Sequence, residues 1–286
     1  MSALPRARLW QCGRYRLDLT LPQIMAIINV TPDSFSGDGL RGSVDAAQRR
    51  AEQALADGAA ILDVGGESTR PGAGAVSEAE ELARVIPVVE ALAAFGVPVS
   101  VDTLKPAVMR EALRAGAAII NDINALRVPG AIEAVAATDA GVCLMHMQGE
   151  PRSMQQAPAY EDVVGEVSGF LQQRAADLLQ AGVAAGRICL DPGFGFGKTL
   201  AHNLALFRAL PQFAVLPYPL LVGVSRKSML GALTGRDVAQ RMPASITAAV
   251  LAAQRGAGIL RVHDVAATRD ALAVWAGIEH ECSGAY

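Results

Sequence analysis

Positive charge is neither abundant nor clustered: 25 Lys and Arg face 28 Asp and Glu, for a formal net charge of −3. That balance excludes a broad nucleic-acid surface, which needs a basic face, but leaves room for a local anion site. Cysteine is sparse as well. The four cysteines (Cys12, Cys143, Cys189, Cys282) stand far apart without a C-x-x-C pair. This argues against a disulfide framework or a structural zinc site and fits a reducing compartment. Four histidines are too few to expect a zinc cluster, and no Ser-His-Asp or Cys-His nucleophile arrangement stands out. No apolar run reaches the roughly 18 residues that span a bilayer; the longest, 214–224, contains two prolines. The opening Met-Ser-Ala-Leu-Pro-Arg lacks the charged head and apolar stretch of a signal peptide. A soluble, cytoplasmic protein with no membrane or nucleic-acid partner is expected.

What the chain has is apolar residues in a regular alternation. Over 286 residues, 51% hydrophobic, eight Val/Ile/Leu-rich runs recur at 24–29, 60–64, 97–101, 118–121, 142–145, 187–190, 220–224 and 258–262. They are nearly continuous, as strands buried on both faces of a parallel sheet should be. The intervening segments carry helical patterns. Ser77 and Glu80 form a capping box ahead of Leu82, Val85, Ile86 and Val89 on one face, and Gly58, Gly96, Gly116 and Gly256 stand where helix C-caps belong. Eight strand–helix units predict a closed (β/α)8 TIM barrel rather than an open doubly wound sheet. No linker divides the chain, so the expectation is an α/β protein of one domain over 1–286, its barrel core at about 24–278. An N-terminal β-hairpin, 9–20, would lie outside the barrel.

Barrel sites are built where strands end. The eight runs end on Asn29, Asp63, Asp102, Asn121, His146, Asp191, Ser225 and His263. Any one of these could serve as a helix N-cap, but the set points to a polar pocket. Two loops, 29–39 and 65–74, exceed the usual βα length of two to six residues and read as functional.

The segment Asp191-Pro192-Gly193-Phe194-Gly195-Phe196-Gly197-Lys198 misses both phosphate-loop motifs by one residue, Pro192 and Lys198 standing where glycines are required. It leaves a carboxylate followed by a flexible loop with two aromatic rings, suited to a flat ligand. Arg226 and Lys227 follow the seventh run, while Arg261 and His263 point to one side of the eighth. The bland alternatives are a surface ion pair for Arg261 and a satisfied core imidazole for His263. With Lys227 they favour an anion site after strands seven and eight.

The stretches Ile28-Asn29-Val30-Thr31-Pro32-Asp33-Ser34-Phe35-Ser36, Gly66-Glu67-Ser68-Thr69-Arg70-Pro71-Gly72, Val101-Asp102-Thr103, Ile120-Asn121-Asp122, Met145-His146-Met147, 191–198, Val224-Ser225-Arg226-Lys227 and Arg261-Val262-His263-Asp264 occur in the order seen in dihydropteroate synthases. The chain resembles that family from about Met25 to the last helix, without a departure at a functional position. The resemblance implies a folate-pathway transferase. It would join the hydroxymethyl carbon of 6-hydroxymethyl-7,8-dihydropterin diphosphate to the amine of 4-aminobenzoate, with Mg²⁺ as the metal.

Carried onto this sequence, the resemblance implies that Asp102, Asn121, Asp191 and Lys227 bind the pterin, with Met145 on its ring. Phe35, Thr69, Pro71, Phe196 and Ser225 would line the aminobenzoate pocket. Asn29, Thr69, Arg261 and His263 would hold the diphosphate, with Asn29 reaching the metal. Lys227, Arg261 and Asp33 would carry the catalytic work, and the family is usually homodimeric through its last helices. A corrinoid-linked pterin methyltransferase or a non-catalytic pterin-binding paralogue are the alternatives, although neither requires both long loops.

Overall fold

The computed structural model describes residues 7–30, 39–67, 76–150 and 153–279. A hairpin, β1 (Leu9–Cys12) and β2 (Tyr15–Asp18), precedes β3 (Gln23–Asn29), α1 (Gly39–Ala56), β4 (Ile61–Gly65), α2 (Glu78–Ala93), β5 (Val99–Asp102), α3 (Pro106–Arg114), β6 (Ile119–Asp122), α4 (Ala131–Ala136) and β7 (Gly141–Met145). There follow α5 (Val163–Gln180), β8 (Ile188–Asp191), α6 (Leu200–Arg208), α7 (Leu210–Ala214), β9 (Leu221–Val222), α8 (Ser228–Thr234), α9 (Met242–Gln254), β10 (Ile259–Val262) and α10 (Val265–Glu279).

All pairings from β3 to β10 are parallel, in the order β8-β7-β6-β5-β4-β3-β10-β9. A single parallel bridge, Leu190 to Leu220, closes the ring. The barrel expected from the alternation is therefore present, with its long apolar runs packed outward on the helices. Ile28, Leu62, Val64, Val101, Ile120, Leu144, Leu190, Val222 and Leu260 share one large core with helix residues such as Val85 and Leu171. The capping box forms as expected, with Ser77 accepting from the Glu80 N–H and Glu80 returning the bond. Gly58, Gly96, Gly116 and Gly256 all take positive φ, which ends the preceding helices without a Cβ penalty.

Strand limits differ from the apolar runs where proline or arginine intervenes. Val97 lies outside β5 because Pro98 has no N–H for the ladder, although its carbonyl accepts from Leu62 N at 3.2 Å. Arg187 ends a 3-10 turn instead of opening β8, its guanidinium donating to Ala140 O and Val135 O, both at 2.7 Å. Prolines at 217 and 219 shorten β9 to two residues.

The hairpin closes the N-terminal mouth of the barrel. Trp10 is fully buried and donates from Nε1 to Arg187 O at 2.9 Å, and Gly13 N reaches Asp139 O at 2.8 Å. Trp10, Cys12 and Leu19 form a second core with the inward residues Met25, Ile61, Ile119, Cys143, Cys189, Leu221 and Ile259. This apolar floor supports everything above it.

Candidate active site

Strand alternation sets the next inward layer directly above that floor. Two residues beyond Ile61, Ile119, Cys143, Cys189 and Ile259 come Asp63, Asn121, Met145, Asp191 and Arg261, joined by Asp102 at the end of β5. The strands thus bring Asp102, Asn121, Met145, Asp191 and Arg261 together at the C-terminal end of the barrel. Asn29, Gly65 and Asp102 are register partners across β3, β4 and β5. The missing side chain at Gly65 leaves open the space between Asn29 Oδ1 and Asp102 Cβ, each 3.8 Å from where its Cβ would lie.

Arg261 is the electrostatic centre of this layer. Its Nε donates to Asp63 Oδ2 at 2.6 Å and its Nη2 to Asp102 Oδ2 at 2.9 Å. Burial works against the guanidinium charge, but Asp63 and Asp102 outweigh it and hold the charge in place. Two of the five guanidinium protons are engaged in this way, and the remainder can meet a ligand. Asp63, fully buried, also receives Asn121 Nδ2 at 3.5 Å on both oxygens. It organises an amide and a guanidinium at once from the middle of β4, not from a strand end as its place in the apolar run suggested. Burial pushes Asp102 up to about 7 despite Arg261.

Asp191 accepts Gly193 N–H on Oδ1 at 2.8 Å. Burial raises its carboxyl, with Lys227 pulling the other way. Lys227 precedes α8, and its Nζ donates to Phe194 O and lies 4.7 Å from the centre of the Phe196 ring. Burial brings its ammonium down to about 8, opposed by Asp191. The two cations after β9 part company. Arg226 has φ +58, an uncommon left-handed conformation for an L-residue, and its fork binds Asp264 through Nε at 3.1 Å and through Nη2. That turn leaves Lys227 alone to face the pocket. Ser225 Oγ lies 3.0 Å from His263 Nδ1 and accepts His263 N–H at 3.2 Å; burial, then Arg261, lowers the imidazole to about 4.

Of the two rings expected to grip a flat ligand, only Phe196 borders the pocket. Phe194 is fully buried and packs 5.7 Å from Phe207, because the loop turns it into the core. The loop itself is tied at several points rather than free, including Gly195 N to Asn203 Oδ1 at 2.8 Å. Asp33, Phe35, Thr69 and Pro71 lie outside the described residues. The second long loop leaves from a fixed stem, where Glu67 accepts Val76 N at 3.2 Å and Lys105 at 2.6 Å, with Glu81 on the same ammonium.

His146 sits against Lys198 Nζ at 2.9 Å and packs edge-on to Phe170. Burial, aided by Lys198, lowers its pKa to about 3. Below pH 6.5 the unfolded chain therefore takes up a proton that the folded chain refuses, and stability falls as pH drops towards 3. Relative to His146→Gln, the wild type is expected to lose up to about 1.4 kcal/mol per pH unit across that window. Urea titrations of both proteins from pH 7 to 4 check this; parallel curves would refute it.

Among the described residues no group of three or more His, Cys, Asp or Glu could hold a metal. The half-buried Asn29 amide at the rim of the layer nevertheless fits Mg²⁺, which takes few protein oxygens and completes its shell with water and phosphate.

A family model described as pterin binding enzyme matches residues 25–263. The chain is 54% identical over 272 residues to the dihydropteroate synthase of Neisseria meningitidis serogroup C, covering 93% of this chain and 96% of that protein. It is 54% identical over 259 residues to the Escherichia coli K12 enzyme of the same name, covering 90% and 92%. Among solved structures, Burkholderia cenocepacia dihydropteroate synthase complexed with 7,8-dihydropteroate superposes with TM-score 0.88 at 53% identity, covering 96% of this chain and 97% of that one. The Xanthomonas albilineans enzyme with 4-aminobenzoic acid gives TM-score 0.90 at 51% identity, covering 96% and 99%.

Proposed function

Since the chain belongs to the dihydropteroate synthase family, transferases of folate biosynthesis, we propose the following division of labour among its residues. The observation that carries it is the single layer of Asp63, Asp102, Asn121, Asp191, Arg261 and Lys227 above an apolar floor. A pterin edge presents a fixed row of amide and amino groups. Asp102, Asn121 and Asp191 supply the matching acceptors and donor, Lys227 a further donor, and Met145 a soft surface for the ring. A wrong ring would leave these buried groups unpaired, which makes the pocket selective.

The reaction breaks the bond between the hydroxymethyl carbon and diphosphate and forms a bond from that carbon to the aminobenzoate nitrogen. Negative charge collects on the departing diphosphate, where Arg261 near the C-terminal end of β10 and His263 just beyond it lie close together. One such preorganised interaction is worth about 3–4 kcal/mol. Mg²⁺, held by Asn29 and the diphosphate oxygens, would supply further charge neutralisation when bound. Aminobenzoate enters beside Phe196, Ser225 and Lys227, with Phe35, Thr69 and Pro71 assigned to the same pocket, and Asp33 and Thr69 near the diphosphate. The arylamine is already neutral at pH 7, so it attacks without a strong general base, and the proton it then sheds passes to the departing diphosphate or to water. The protein acts as one barrel domain in the cytoplasm. Exposed Leu233, Val274 and Ile278 on α8 and α10 support a homodimer through the last helices.

Diphosphate release by the purified protein with Mg²⁺ and the pterin diphosphate, with and without 4-aminobenzoate, tests the assignment. Release that requires aminobenzoate and yields dihydropteroate is expected; tight pterin binding without turnover would favour a non-catalytic pterin binder. The Yersinia pestis relative has been solved with a sulfonamide drug. Sulfonamides are expected to raise the KM for aminobenzoate here without lowering the maximal rate, and a noncompetitive pattern would refute the pocket.

A further inference from the structure

The loop after β8 is wound around a second buried ammonium that has no part in the roles above. Lys198, 3% exposed, donates from Nζ to Gly193 O at 2.9 Å, Phe196 O at 3.0 Å and His146 O at 3.3 Å, and lies 2.9 Å from His146 Nδ1. Three ammonium protons shared over four acceptors leave it saturated. Gly193, Gly195 and Gly197 have φ of +71°, +81° and +63°, the region that lets a short loop curl its carbonyls inward at no Cβ cost. At Gly193 the packing is closed as well, since a Cβ there would lie 1.9 Å from His146 O.

The same few residues serve the pocket on their other side. Gly193 N–H holds Asp191 Oδ1, Phe194 O accepts from Lys227, and the Phe196 ring lies against the Lys227 ammonium. Along the loop, the Gly193 and Phe196 carbonyls thus face Lys198, the Phe194 carbonyl between them faces Lys227, and the Gly195 carbonyl accepts from Gln155 Nε2. Inward-turned carbonyls repel one another unless a cation sits among them, and a buried ammonium without a directly bonded carboxylate is costly to keep. Burial brings Lys198 down to about 7. An apolar side chain would fill the same space but leave those inward carbonyls unpaired, so the ammonium holds the loop and does more than pack.

We propose that Lys198 is a positioning residue: its ammonium clamps the 193–196 loop to the end of β7, and thereby fixes Asp191, Lys227 and Phe196 in the arrangement that receives the two substrates. The proposal rests on the roles assigned above to Asp191 and Lys227.

The test is Lys198→Met, which keeps the stem and removes the charge, beside Phe196→Leu and the double variant. Lys198→Met is expected to weaken binding of the pterin diphosphate at least tenfold and to raise the aminobenzoate KM more than it lowers kcat. The effect of Phe196→Leu on that KM should shrink in the Lys198→Met background, because a ring that has lost its anchor has less to lose. A folded Lys198→Met that binds the pterin diphosphate within twofold of wild type, or strictly additive effects, would overturn the proposal. Should Lys198→Met fail to fold, Lys198→Gln, which retains two donors, is read by the same criteria. A wild-type protein that does not bind the pterin diphosphate would instead overturn the assignment of the site itself.

Discussion

Asp191→Ala is expected to lower affinity for the pterin diphosphate by at least about a thousandfold, roughly 4 kcal/mol. The carboxylate is buried on β8 with one oxygen fixed by Gly193 N–H, so it presents a prearranged acceptor to the ligand. Its charge also favours the protonated forms of Lys227 and Lys198. Removing it therefore takes away a contact and leaves two buried ammoniums without their main counter-charge. Asp191→Asn, which keeps the shape and loses the charge, should fall between. Calorimetric titration of both variants with the pterin diphosphate decides the matter, and Asp191→Ala binding within tenfold of wild type would contradict the assignment.

Arg261→Met is expected to cost about 3–5 kcal/mol of stability, because Asp63 would stay buried without its partner, and to abolish most turnover. Asp63 is fully buried, and Asp102, already raised to about 7, would rise further without Arg261. The double variant Asp63→Leu/Arg261→Met separates the two consequences. Replacing both members of a buried pair by apolar groups can be nearly neutral, so stability should return in large part while turnover does not. Urea denaturation and diphosphate release read the two quantities. Normal turnover in Arg261→Met, or a double variant no more stable than the single one, would refute this account of the pair.

The parts of the molecule that follow from periodicity were legible in the residues. Apolar runs, the Ser77–Glu80 box and the four C-cap glycines are local signals, and the structure realises each of them. Inward placement of Asp102, Asn121, Asp191 and Arg261 follows from alternation once the strands are located. What sequence could not supply was pairing. Asp63 meets Arg261 across 198 positions of chain, and nothing at position 63 separates a carboxylate that binds a guanidinium from one that caps a helix. Arg226 and Lys227 look equivalent in sequence, yet a left-handed turn and Asp264 send them apart. Phe194 and Phe196 likewise differ only in the direction each glycine-flanked residue is turned. The length of β9 depended on two prolines whose missing donors outweigh an apolar run.

The joint between β8 and β9 is the thinnest part of the wall. One strand has two residues, and a single bridge holds it to its neighbour. Asp191 stands on one side of that joint and Lys227 on the other. A molecule gripped by both would act as a clasp across this lightly stitched seam, adding cross-links where the backbone supplies few. Breathing of the barrel and occupancy of the pocket are then opposed in a single equilibrium: filling the pocket closes the wall, and a wall that gapes lets the pocket empty.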